Sequence, residues 1–245
     1  LTAEEIEKYI KATEEKFGVK ITDEDLRKAI KLHNETRRLQ QEIYEMQKGE
    51  EVYLTGLELL MVMLAGVSLP RPEYNKMMKD LIAALKANGP RVKPKVRLLY
   101  TGGHADNPEF FDLLQQNEAH VVSDNTGFGT RAADVLIRED GEPLEAIIDY
   151  YFEEKPAATR QMGTQVERME RLLDLVKQYK ADGVVASRLY MCDLWAFEHF
   201  LMRKRLHENN VPFLELEVDY TPEGQGQIKT RVQAFVESLA DRQTA

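Results

Sequence analysis

After residue 95 the chain alternates short apolar runs with segments of helical period, and no other feature limits its fold so tightly. Residues 96–100, 119–123, 183–187 and 213–218 read as strands. Residues 109–117, 160–179, 194–208 and 227–239 read as the helices that follow them. Strands alternating with helices predict a parallel sheet joined by right-handed crossovers. The simplest arrangement is α/β: a flavodoxin-like four-stranded parallel sheet flanked by helices. Ligands of such sheets bind beyond the carboxyl ends of the strands. Four loops lie there, at 101–106, 124–131, 188–193 and 219–227.

The first ninety or so residues have a different texture. Thr2 with Glu5, and Thr22 with Asp25, have capping-box spacing, the later acid reaching back to the helix start. Between residues 23 and 47, Leu26, Ala29, Ile30, Leu39, Ile43 and Met46 recur near helical period. Thr55 opens a shorter apolar helix that ends near Gly66. A further helix from Glu73 stops at Asn88-Gly89-Pro90. The chain therefore divides into a helical N-terminal section, 1–94, and an α/β lobe, 95–245.

Composition narrows the function. A formal net charge of −9 argues against a nucleic-acid-binding face, which needs clustered Lys and Arg. The longest apolar run, residues 57–67, is too short to span a bilayer. A single cysteine excludes an internal disulfide framework and fits a reducing, cytoplasmic setting.

The one cysteine, Cys192, falls just past a strand end and before a helix, where the partial positive charge of the helix start suits an anionic sulfur. A buried structural thiol is the plainer alternative. One thiolate does not hold an iron–sulfur cluster, so further ligands would come from elsewhere. His104 lies in a Gly-rich loop with Asp106 and is the candidate for positioning a carbonyl or carrying a proton, or else a solvated loop histidine. Gly102 and Gly103 precede the helix near Pro108, so backbone amides there could hold an anion. Neither this loop nor Gly127-Phe128-Gly129-Thr130-Arg131 matches a dinucleotide or Walker pattern. No G-x-S-x-G elbow is present.

Four ordered stretches resemble the benzoyl-CoA reductase and 2-hydroxyacyl-CoA dehydratase family. They are Gly18-Val19-Lys20-Ile21-Thr22 with Leu26, Ala29-Ile30, Asn34 and Arg37; then Leu64-Ala65-Gly66 before Pro70. Next come Val122-Ser123-Asp124-Asn125 with Gly129-Thr130-Arg131. The last is Asp182-Gly183-Val184-Val185, Cys192-Asp193, Asn210-Val211-Pro212, Gly226-Gln227, Thr230-Arg231 and Ala234-Phe235.

The resemblance implies a subunit of an oxygen-sensitive enzyme acting on acyl-CoA thioesters. Each of two paired homologous subunits would hold a 4Fe-4S cluster by three cysteines, Cys192 matching the third. The other two would sit in an N-terminal cluster-binding lobe that these residues lack. A separate ATP-hydrolysing iron–sulfur activator would supply electrons singly. His104 would be catalytic, with Gly103, Asp124, Asn125, Arg131 and Gln227 facing the substrate. The helical section is nearer to a benzoyl-CoA reductase subunit, implying ring reduction; a 2-hydroxyacyl-CoA dehydratase subunit, or a non-catalytic accessory subunit of the same fold, is the alternative.

Overall fold

The computed structural model describes residues 2–103, 106–219 and 225–244. Its first section is four helices: α1 (Thr2–Phe17), α2 (Asp23–Glu45), α3 (Gly56–Ser68) and α4 (Arg71–Asn88). The Thr22 capping box is formed as expected, with the Thr22 hydroxyl accepting from the Asp25 amide and the Asp25 carboxylate accepting from the Thr22 amide at 3.0 Å. Thr55 and Glu58 make the same reciprocal pair at the start of α3. Each box satisfies donors that a helix start leaves orphaned.

The second section carries β1 (Val96–Gly102), α5 (Pro108–Gln116), β2 (Ala119–Asn125), α6 (Thr130–Ala133), α7 (Pro143–Asp149), a π turn (Tyr150–Glu154), α8 (Gln165–Gln178), β3 (Gly183–Leu189), α9 (Asp193–Glu208), β4 (Phe213–Val218) and α10 (Gln225–Thr244). The four strands form one sheet, all parallel, in the order β2-β1-β3-β4. All seven residues of β1 are buried, as a central strand covered on both faces requires. Helix α8 starts five residues later than its periodicity predicts. Residues 158–164 instead make a turn, with Gly163 at φ +85° and Ala158 and Gln161 hydrogen-bonded to each other.

Helices α5 and α10 lie on one face of the sheet and α8 and α9 on the other. Phe111, Leu114, Val232, Val236 and Leu239 fill the first face against Leu98, Val121 and Val185. Leu172, Leu173, Met202 and Leu206 fill the second against Leu99, Val122 and Val184. The helical section shares this second core through Ile43, Tyr44, Leu59, Met63 and Met78. Helix α3 lies along edge strand β2, with Gly56 so close that a Cβ there would meet the Val121 amide at 2.9 Å. That edge is thereby covered.

Candidate functional site

The chain leaves β1 toward β2 and leaves β3 toward β4, so the loops after β1 and β3 part company at the carboxyl edge. This is the switch point where open α/β sheets bind ligands. Glycines make the crevice walls thin. The Gly103 amide donates to the Ser187 carbonyl at 3.1 Å. A Cβ on Gly102 would run into that carbonyl, and one on Gly103 into the Trp195 indole of α9. The β1 exit is therefore packed against β3 and the first turn of α9. His104 lies outside the described residues.

Cys192 is itself the N-cap of α9, at φ −87° and ψ 93°. Its amide donates to Leu189 O at 3.1 Å and its carbonyl accepts from the Ala196 amide at 3.0 Å. Met191, at φ +62°, turns the chain just before Cys192, whose free thiol belongs to a partly exposed residue. Around it stands an apolar surface: Tyr190 is 63% exposed, Met191 77%, Phe197 75% and Phe200 60%. Single exposed apolar residues need no explanation, but a contiguous group of this size marks an interaction surface.

Between α5 and α10 opens a cleft of about 640 Å³ lined by Tyr100, Phe110, Phe111, Ser187, Tyr190 and Gln227, among others. Tyr190 connects the cleft to the Cys192 shoulder. The Tyr100 ring lies 5.1 Å from that of Phe111, and its hydroxyl is hydrogen-bonded to Ser187 Oγ. Burial pushes the Tyr100 phenol well above its ordinary range, so it stays protonated at neutral pH. The lining mixes Phe110, Phe111 and Ile228 with charged side chains such as Glu217, Lys229 and Arg231, so the cleft offers both apolar and polar contacts to a small molecule. A larger groove, about 870 Å³, lies between α2 and α8, but none of the residues singled out from sequence lines it.

The residues after β2 form a separate group. Asp124 is occupied internally: its carboxylate accepts from Tyr44 Oη, from the Thr126 amide at 2.9 Å and from Thr126 Oγ1 at 2.7 Å. A Cβ on Gly129 would collide with that carboxylate. Burial first, and the Asp124 charge second, raise the Tyr44 phenol far above its usual value, so Tyr44 is the donor. Asn125 Oδ1 accepts from Arg171 Nε at 3.3 Å, and Arg171 also binds Thr130 and Asp134. Arg131 is different. Its Nε is buried without an acceptor, and no ion pair involves it among the described residues. Tyr44 and Arg171 were not legible as site residues, because their partners lie 80 and 46 positions away.

Thus Gly103, Cys192 and Gln227 gather around the β1–β3 crevice and its cleft. Asp124, Asn125 and Arg131 sit two strands across the same edge. Among the described residues no group of three or more His, Cys, Asp or Glu is placed to hold a metal ion.

A doubly wound α/β architecture with a partly exposed cysteine at the switch-point edge defines the general class. The chain belongs to the family described as 2-hydroxyglutaryl-CoA dehydratase, D-component, whose model matches residues 1–239. It is 28% identical over 240 residues to an Escherichia coli (strain K12) protein named as a dehydratase subunit, covering 94% of this chain and 61% of the relative. It is 25% identical to the (R)-phenyllactyl-CoA dehydratase beta subunit of Clostridium sporogenes, covering 94% and 61%. One of the benzoyl-CoA reductase subunits of Thauera aromatica is 24% identical, with 91% and 58% covered. The chain spans about three fifths of the length of these curated relatives.

Proposed function

We propose that this chain is part of a subunit that carries out low-potential one-electron chemistry on an acyl-CoA thioester, with Cys192 as one ligand of a 4Fe-4S cluster. The single observation behind the reading is the placement of Cys192, a free and partly exposed thiol at a helix start, two residues after Tyr190 in the wall of a cleft. A structural cysteine would be packed away as a small hydrophobe. The donor set fits one corner of a cluster; the remaining thiolates would come from beyond the residues described. When bound, such a cluster would supply single electrons at low potential.

This chain's own residues would do the rest. The cleft walls, Phe110, Phe111 and Tyr100, would seat the acyl group and exclude water. Protonated Tyr100, coupled to Ser187, would offer a hydrogen bond to a polar group of the thioester. The exposed surface formed by Met191, Phe197 and Phe200 would be covered by a homologous subunit, consistent with relatives that are themselves named as subunits. An ATP-dependent activator would dock transiently.

Ring reduction of the benzoyl-CoA type is our first reading. Dehydration of a 2-hydroxyacyl-CoA is the second, favoured by the family's description and by the phenyllactyl-CoA relative. Full-length protein purified without oxygen is expected to be brown with about four irons per subunit, and Cys192→Ala to lose most of that iron while keeping its circular dichroism. Iron content unchanged in Cys192→Ala, or a colourless wild-type protein after reconstitution, would sink the assignment. Incubation with benzoyl-CoA or a 2-hydroxyacyl-CoA plus a one-electron donor separates reductase from dehydratase.

A further inference from the structure

Three cations meet near the end of β2, and none of them makes a direct salt bridge among the described residues. Arg131 keeps its Nε buried and without an acceptor, and its Nη2 lies against Gly127, 3.3 Å from where a Cβ would stand. Lys155 follows the π turn. Its Nζ is 6.0 Å from the Tyr150 ring centroid and 5.3 Å from that of Tyr151, and it has no ion pair among the described residues. Arg37 stacks on Tyr150 at 4.6 Å and donates only to neutral groups, Tyr150 Oη and Asn34 Oδ1. Lys155 is within electrostatic reach of both arginines.

The charges of Asp124 and Glu198 reach Arg131, but their oxygens bond elsewhere. Asp124 is held by Tyr44 and Thr126, Asp134 by Arg171, and Glu198 by Arg168 in a two-pronged pair at 2.7 and 2.8 Å. In a chain of net charge −9, a knot of positive charge with buried flanks and no direct ion pair is costly and favours a further counter-charge. Burial first, and then the charges of Arg131 and Arg37, hold the Lys155 ammonium below its ordinary value.

We propose that Arg131 and Lys155 form an anion subsite that takes the diphosphate of the coenzyme A portion of the substrate. A guanidinium beside an ammonium suits phosphate oxygens. The π turn also exposes the Tyr151 and Phe152 rings, 50% and 51% open, which give a nucleotide base an aromatic face. Cys192 lies three residues past β3 and Arg131 six past β2, on the same edge of the sheet, and the two strands stand two spacings apart, roughly 10 Å. An extended pantetheine arm exceeds that span, so phosphates on this subsite leave the thioester free to reach the cleft beside Cys192. The inference rests on the acyl-CoA reading above.

Binding of coenzyme A to the full-length protein is to be measured by calorimetry, with pyrophosphate and glutarate as competitors, for wild type, Arg131→Gln, Lys155→Gln and Arg131→Lys. The expected result is competition by pyrophosphate and not glutarate, with coenzyme A binding weakened at least tenfold in each Gln variant and partly kept in Arg131→Lys. Without ligand, Arg131→Gln is expected to melt at or above the wild-type temperature, since it removes a largely buried cation that makes no direct ion pair. A markedly lower melting temperature would make Arg131 structural and overturn the proposal. Competition by glutarate alone would assign the site to a carboxylate and overturn it equally. Coenzyme A binding unchanged in the Gln variants would overturn the subsite while leaving the acyl-CoA reading intact; no coenzyme A binding by wild type would remove both.

Discussion

Arg97 shows how much one side chain can hold. It lies on β1, almost fully buried, and its guanidinium donates to the carbonyls of Tyr179 (3.0 and 2.8 Å), Gln47 (3.0 Å) and Gly49 (2.9 Å). Those carbonyls belong to the ends of α8 and α2, so one planar fork ties the helical section to the sheet. Lysine has a single ammonium and cannot reach three separate carbonyls. Arg97→Lys is expected to lower stability by about 3 kcal/mol in denaturant unfolding, since buried acceptors left unmet cost about 1–3 kcal/mol each. A loss below about 1 kcal/mol would show that water replaces the fork. Histidines set the pH response. Burial lowers the pKa of His33, His120 and His199 below the free value. The unfolded chain then takes up protons before the folded one does, so stability is full above about pH 6.5 and falls as pH drops through that value. His199 is fully buried between Trp195 and Phe213, its Nδ1 3.5 Å from Glu215 but not in hydrogen-bonding geometry. His199→Leu is expected to flatten the fall in melting temperature between pH 7 and 5; an unchanged slope would refute the assignment.

At the scale of elements, the helix starts were legible because their chemistry is local. Thr22 and Asp25, or Thr55 and Glu58, lie three residues apart and need nothing from the rest of the fold. Thr55→Ala is expected to cost about 1 kcal/mol, read as a shift in the urea midpoint, because α3 loses its capping hydroxyl. No shift would mean the Glu58 carboxylate suffices alone. The strands were legible from their apolar runs, and the parallel sheet from their alternation with helices. Harder to foresee were residues 130–164, where α6, α7 and the π turn are short and carry weak periodicity. Their placement comes from long-range partners: Asn34 binds the Ile137 carbonyl and amide at 2.6 and 3.0 Å, and Gln41 binds Ala133 O at 2.7 Å. A single sequence gives no hint of such pairs.

For the whole molecule, the edge that gathers Gly103, Cys192 and Gln227 was readable from topology alone, since strand ends in a parallel sheet share one side. The interior commitment of Asp124 was not. Its aspartate-asparagine pair looks the same in sequence whether it faces a ligand or knots a loop, and only the Tyr44 hydroxyl arriving from α2 decides. The cleft likewise depends on α10 crossing back over β1 and β4, a matter of helix placement that periodicity does not encode.

The fork on β1 has a temporal corollary. During synthesis, Arg97 and the turn after α2 leave the ribosome long before Tyr179, so the early helices wait with one acceptor of the clasp still unmade. Nascent chains arrested ahead of residue 179 should accordingly be cut readily by protease between residues 46 and 55, and those released past the end of β3 should resist.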